Sequence, residues 1–316
     1  MIEVKHLTKR YGNHTAVSDL SFTIEKGRIY GFLGPNGAGK STTMNIMTGC
    51  LAATAGDVKI DGFDIFEEPQ QAKRLIGYLP EQPPVYPDRT PREYLTFVAR
   101  DKGIPEQDIK GQVGAALAVT QTEDVADRLI KNLSKGYRQR VGIAQAILGD
   151  PEIIILDEPT VGLDPRQITE IRELIRALGK DHTVILSSHI LSEVQAVCQT
   201  ILIISKGRLV ACDTPRNLEK RFAGAHTLSL TVEASEAEAR DILSQVPQVT
   251  VTEVHPGKDG LSTITAELTG TETEGCRAVF FAFSAAGRAI LRMNVSRASL
   301  EEVFLELTQE QKEGEA

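Results

Sequence analysis

The stretch that most restricts what this chain can become is GPNGAGKS, residues 34–41. It fits G-x-x-x-x-G-K-[ST] and lies between an apolar run, RIYGFLG, and a run of helical character, TTMNIMTG. Glycines let the backbone wrap so that successive N–H groups face an anion. Lys40 then reaches the β- and γ-phosphates of a nucleoside triphosphate, and the Ser41 hydroxyl ligates Mg²⁺. A glycine-rich surface turn with an exposed lysine is the plain structural alternative. The strand before the loop and the helix after it favour the nucleotide site.

Such a site needs a metal-binding acid and a base, and IIILDEP supplies candidates. Residues 153–156 are all Ile or Leu, the composition of a central strand buried on both faces. That strand delivers Asp157 and Glu158 at its carboxyl end, where ligands bind in open α/β sheets. Asp157 is suited to hold Mg²⁺ through its water shell. Glu158 points to the other side and is suited to take a proton from an attacking water. Acids after strands also cap following helices, so this pair takes its meaning from the phosphate loop.

Up to about Phe222 the chain alternates strand-like segments (IEVKHL, LSFTIEKG, RIYGFLG, DVKI, LIGYLP, EIIILDEP, TVILSSH) with helical ones. Alternation of this kind means an α/β sheet covered by helices. Between about residues 84 and 150 the pattern is helical: PREYLTFVARDKG, DIKGQVGAALAVT and the run after LSKG. A further helix, RQITEIRELIRALG, has Ile168, Ile171, Leu174, Ile175 and Leu178 on one face. From residue 223 to 316 the order becomes β-α-β-β-α-β, the ferredoxin-like split pattern. A last helix, SLEEVFLELTQEQ, and a polar tail follow. Phe280, Phe281 and Phe283 are expected in the core of this small α+β domain. The expected division is therefore 1–222 and 223–316.

Composition narrows the partners. Hydrophobic residues make up 41% and charged residues 25% of the 316, as in ordinary globular proteins. A net charge of -8 argues against a broad basic surface for nucleic acid. The longest apolar runs, IIIL and ILII, are of strand length, and the first residues, MIEVKHLTKRYG, carry charges where a signal peptide needs an apolar stretch. These features predict a cytoplasmic chain whose membrane role, if any, comes through a partner. Four scattered cysteines without a CxxC spacing read as reduced residues, neither a metal set nor a disulfide set.

LSKGYRQR, residues 133–140, opens a helix with Val141, Ala144, Ile147 and Leu148 at helical spacing, stopped by Gly149, Asp150 and Pro151. Small residues at a helix start leave N–H groups free for an anion. A structural N-cap at Ser134 is compatible with that second use.

In order, GPNGAGKST, Gln82 in YLPEQ, LSKGYRQR, IIILDEPTVGLDP and SSH closely resemble the ATP-binding subunits of ABC transporters, over about the first 220 residues. LSKGYRQR resembles that family's LSGGQ signature, with Lys135 and Tyr137 as departures shared with the drug-export and gliding-type ABC-2 branch. The resemblance implies an α/β P-loop NTPase fold, an ABC-type nucleotide-binding domain with a helical insertion. It implies ATP contacts from Gly34, Pro35, Asn36, Gly37, Ala38, Gly39, Lys40, Ser41 and Thr42, with Tyr11 stacked on adenine. Mg²⁺ would meet Ser41, Gln82 and Asp157; Glu158, His189 and Gln82 would be catalytic. In such families two subunits stack head to tail. Ser134, Lys135, Gly136 and Tyr137 would then meet ATP bound by the other subunit, with Asp164 at the interface. ASLEEVFLELT resembles the C-terminal end of drug-export-type subunits, where the added domain is linked to dimerisation or regulation.

Two functional classes follow. The first is an ATP-hydrolysing subunit, peripheral on the cytoplasmic face of the membrane, that powers export through a separate membrane-spanning permease as a homodimer or a pair with a related subunit. The second is a soluble non-transport ABC-type ATPase. A single nucleotide site, no long heptad insertion and the acidic balance favour the first and argue against nucleic acid. An unrelated phosphate-loop kinase or GTPase leaves LSKGYRQR without a purpose.

Overall fold

The computed structural model describes residues 1–222, 226–257 and 260–296, in two compact units. The first is Met1–Pro215 and the second begins at Arg216, in the helix that contains Phe222. The helix expected at residues 299–311 lies outside the described residues.

The first unit opens with strands β1 (Ile2–Tyr11) and β2 (His14–Ile24), then β3 (Ile29–Leu33) and helix α1 (Lys40–Met47). β4 (Ala55–Ile60), β5 (Phe63–Asp64), α2 (Pro69–Arg74) and β6 (Ile76–Leu79) lead into the helical insertion α3 (Pro91–Asp101), α4 (Glu106–Val119) and α5 (Lys135–Ile147). β7 (Ile153–Leu156), α6 (Pro165–Leu178), β8 (Thr183–Ser188), α7 (Leu191–Val197), β9 (Thr200–Ser205) and β10 (Arg208–Asp213) follow, and all but the first residue of α8 (Pro215–Phe222) belongs to the second unit. The main sheet has the order β10-β9-β3-β8-β7-β6, parallel except for the β10 edge. β3, β7, β8 and β9 are buried at every position, which their near-continuous apolar sequences require of strands covered on both faces. A second, antiparallel sheet of order β2-β1-β4-β5 and α1 cover one face, sharing a core that runs from Ile2, Val4 and Phe22 through Met44 to Ile155 and Leu202. On the other face α7 lies so close to β3 that a Cβ on Gly31 would meet Val194 Cγ1 at 2.1 Å.

The insertion has its own core, built from Tyr94, Leu95, Ile109, Val113, Leu117, Val141 and Ala144. α3 starts on a reciprocal capping box: Glu93 N–H donates to Thr90 Oγ1 at 3.2 Å, and Thr90 N–H to Glu93 Oε2 at 3.0 Å. The last carbonyls of α5 are capped by Lys102 Nζ, which donates to Gln145, Ala146 and Leu148. α5 is joined to the main sheet by two glycines. A Cβ on Gly77 would stand 2.0 Å from the Ala146 carbonyl oxygen, and one on Gly142 would stand 2.5 Å from Leu79 Cδ1 and 3.0 Å from Pro83 Cβ.

The second unit is β11 (His226–Val232), α9 (Glu236–Ser244), β12 (Val249–Pro256), β13 (Ser262–Leu268), α10 (Glu272–Ala285) and β14 (Ile290–Ser296). Its sheet is antiparallel with the order β12-β13-β11-β14, the split β-α-β-β-α-β arrangement. One sequence expectation fails here. Phe283 is fully buried with Val279, four residues earlier on the same helix face, but Phe280 and Phe281 are 55% and 60% exposed. The apolar run FFAF covers more of the helix circumference than the sheet can bury.

Candidate functional site

The phosphate loop leaves β3 at Leu33 and enters α1 through Gly39, whose φ of +101° lies in the left-handed region. A Cβ there would also strike the Ala16 carbonyl oxygen at 2.6 Å, so only glycine fits. No side chain caps α1, which leaves its first N–H groups for an anion. Lys40 is buried and turned along its own loop. Its ammonium donates to the carbonyls of Gly34 at 2.8 Å and Pro35 at 3.3 Å, and lies 3.3 Å from Glu158 Oε1.

β7 carries Glu158 into the same cleft and sets Asp157 beside Ser41, behind the cleft wall. Asp157 is buried, and burial raises its carboxyl above the ordinary range; hydrogen bonds from Ser187 and Ser41 oppose the rise. The Ser187 hydroxyl donates to Asp157 Oδ1 at 2.5 Å and accepts the Glu158 N–H at 2.8 Å. Glu158 has a φ of +46°, an uncommon conformation for a residue with a Cβ. Its carboxylate is held from both sides, by Lys40 on Oε1 and by His189 Nδ1 on Oε2 at 3.0 Å.

The cleft encloses about 470 Å³, with Tyr11, Asn36, Gly37, Ser41, Thr42 and His189 among the residues on its walls. Tyr11 is half exposed, with Lys9 Nζ 5.1 Å from its ring centre. Glu81 also faces this cleft, whereas the exposed Gln82 is not among its lining residues. Ser41 and Asp157 offer adjacent hard oxygen donors, a set that suits Mg²⁺ with water and phosphate completing its shell.

The LSKGYRQR segment forms a different cleft of about 260 Å³, with no wall residue in common with the first. Ser134 caps α5, accepting the Tyr137 N–H at 3.3 Å, and Gly136 is buried against the Gln167 side chain. Tyr137 donates its hydroxyl to Asp124 Oδ2 at 2.7 Å, which raises its pKa. Lys135 lies across Gly162, and Asp164 caps α6 by accepting the Gln167 N–H at 2.9 Å.

Sequence reasoning missed a second polar layer directly behind the site. Ser188, on the opposite face of β8 from Ser187, donates to Glu193 Oε2 at 3.0 Å, and Thr160 donates to the same oxygen at 2.5 Å. The available signal was a pair of serines directly after the apolar run VIL, since alternation sends one to each face.

A parallel sheet with a phosphate loop after β3, paired acids after β7 and a helical insertion defines a P-loop nucleoside-triphosphatase cassette. The family model described as ABC transporter matches residues 17–161. The linearmycin resistance ATP-binding protein LnrL of Bacillus subtilis (strain 168) is 32% identical over 314 residues, 98% of each chain. The bacitracin transport ATP-binding protein BcrA of Bacillus licheniformis is 34% identical over 309 residues, 97% of each. Among solved structures, the dimer of the ATP-binding cassette MJ0796 in a post-hydrolysis state with ADP and Pi superposes with a TM-score of 0.62 at 26% identity, covering 68% of this chain and 98% of that one. The chain belongs to the ATP-binding proteins of ABC transporters. It is a subunit that binds and hydrolyses ATP.

Proposed function

We propose that this subunit powers export through a separate membrane-spanning partner, working as one of two ATP-binding subunits stacked head to tail on the cytoplasmic face of the membrane. The observation that carries the reading is the separation of the two clefts. Lys40, Glu158 and His189 converge on one, and the signature residues Ser134, Lys135, Gly136 and Tyr137 line or border another. An anion site at the start of α5 with no phosphate loop of its own calls for ATP held by a second copy or a related subunit.

In this reading the loop amides and Lys40 hold the β- and γ-phosphates, and Tyr11 stacks on adenine. Ser41 and Asp157 hold Mg²⁺, which neutralises phosphate charge when bound. Glu158 takes the proton of the attacking water, and His189, bonded to it, meets the γ-phosphate. Gln82 begins the stretch that leads from the cleft into the insertion, and Asp164 lies at the subunit interface.

The membrane partner docks on the insertion. There Tyr86, Tyr94 and Phe97 form an aromatic cluster, with ring centres 5.5 and 5.6 Å apart, beside Arg89, Arg92 and Arg100 in a groove of about 530 Å³. Among the described residues no helix is long and apolar enough to cross a membrane. The names of the two relatives, a bacitracin transporter and a resistance protein, support outward movement.

The test is capture of the tagged chain from its native membranes, followed by mass spectrometry. A stoichiometric multi-span protein is expected, lost with Tyr86→Asp or Phe97→Asp. A soluble partner, or no membrane protein at all, refutes the proposal.

A further inference from the structure

Glu193 is a buried carboxylate that the scheme above does not use. It lies on α7, is only 4% exposed, and has no cationic partner among the described residues. Its Oε2 accepts two hydroxyl hydrogen bonds, from Thr160 at 2.5 Å and from Ser188 at 3.0 Å. Burying a carboxylate on neutral donors alone is costly, and an apolar side chain would stabilise the fold better. The arrangement therefore has to be explained by what the two bonds hold in place.

Thr160 is two residues beyond Glu158, and Ser188 immediately precedes His189. Glu193 thus ties together the two chain segments whose side chains meet as the Glu158–His189 pair at 3.0 Å. Ser188 also accepts the Ile190 N–H at 3.0 Å, which fixes the turn on the far side of His189. In front of this tie, Ser187 holds Asp157 and the Glu158 backbone. The two serines form a front and a back clamp on one strand end.

We propose that Glu193 is a positioning residue for hydrolysis: through Thr160 and Ser188 it sets the register between Glu158 and His189, without touching nucleotide. The inference rests on the roles given to Glu158 and His189 above. Loosening the register parts His189 from Glu158 and so from its place at the phosphate, and displacements of about 1 Å in such sites cost on the order of 100-fold in rate.

The test is steady-state ATP hydrolysis by the full chain, with binding of a fluorescent ATP analogue followed in parallel. Glu193→Ala is expected to lower kcat by about 10- to 100-fold, with KM and analogue affinity within about twofold. Glu193→Gln keeps an acceptor oxygen for both hydroxyls and is expected to restore most of the rate. Thr160→Val, nearly isosteric, removes one of the two donors and gives a smaller loss should Glu193→Ala fold poorly. The decisive variant is Glu193→Ala combined with His189→Ala: if Glu193 acts through the pair, the double variant is no slower than His189→Ala alone.

Additive losses, or a rise in KM matching the fall in kcat/KM, overturn the inference. A slow His189→Ala with a full-rate Glu193→Ala removes this inference alone. A full-rate His189→Ala removes the reading of the site, and this inference with it.

Discussion

Replacing Ser187 with alanine should destabilise the first unit by more than its small size suggests. The side chain is fully buried and makes two bonds, donating to Asp157 and accepting from the Glu158 backbone. Alanine leaves the Glu158 N–H without its acceptor, at a cost of about 1–3 kcal/mol, and removes a charge-assisted bond of about 1.5–3 kcal/mol. Ser41 still serves the Asp157 carboxylate, so the second cost falls at the low end and the sum is about 3 kcal/mol. For a unit of this size each kcal/mol moves the midpoint by about 2–4 °C, giving a fall of about 6–12 °C. Calorimetry on the full chain, following the transition of the first unit, measures it. The same variant should hydrolyse ATP slowly, because the left-handed backbone of Glu158 loses the bond that holds it. A midpoint within about 1 °C of the parent would refute the reasoning, since two buried bonds cannot vanish at that cost.

Glu158→Gln should bind the fluorescent ATP analogue as well as the parent does and nearly abolish turnover; full ATPase activity would remove Glu158 from its role as base. Asp157→Asn should also stop hydrolysis, yet melt no lower, and expectedly higher, at pH 7 without nucleotide or Mg²⁺. Burial raises the Asp157 pKa above its ordinary 3.8, so the folded chain binds that proton more tightly than the unfolded chain. The contribution is complete below pH 3.8 and lost as pH rises through the raised value, and asparagine keeps the neutral form at every pH. A lower midpoint for Asp157→Asn at pH 7 would contradict this. Gly39→Ala must place a Cβ 2.6 Å from the Ala16 carbonyl oxygen at a φ of +101°, a strain of about 1–3 kcal/mol or more. Its nucleotide affinity should fall by at least about tenfold in a titration, and unchanged affinity would mean that the loop has room to adjust.

What could be read from the sequence was whatever a short segment encodes by itself. The phosphate loop, the IIIL strand with its two acids, the Ser134 cap and the split pattern of the second unit each depend on residues within one or two neighbouring elements. What could not be read depends on chain segments meeting from afar. β3 pairs with β8 and β9, separated from it by about 150 residues or more, which sets the phosphate loop beside β8, and β8 pairs in turn with β7, which brings Ser187 to Asp157 and His189 to Glu158. The bond from Thr160 to Glu193 spans 33 residues and leaves no local pattern. α7 and β10 leave no such pattern, because short segments packed on a sheet take their form from the sheet. Phe280 and Phe281 show the opposite error, where hydrophobicity alone suggested burial and helix geometry decided otherwise.

The contact between β6 and α5 has a mechanical consequence. Gly77 brings backbone against backbone at Ala146, and Gly142 brings α5 down onto Leu79 and Pro83. At Gly77 the contact is backbone on backbone, with no rotamer to yield, and close-packed interiors pass strain on instead of absorbing it. α5 is a rod of 13 residues, about 20 Å long, anchored by that contact along its body and ending at Ser134. The segment that follows β6 passes Glu81 at the nucleotide cleft and reaches Tyr86 in the aromatic groove within ten residues of Gly77. A push at the groove, a ligand at the cleft and the aim of Ser134 are therefore three readings of one dial.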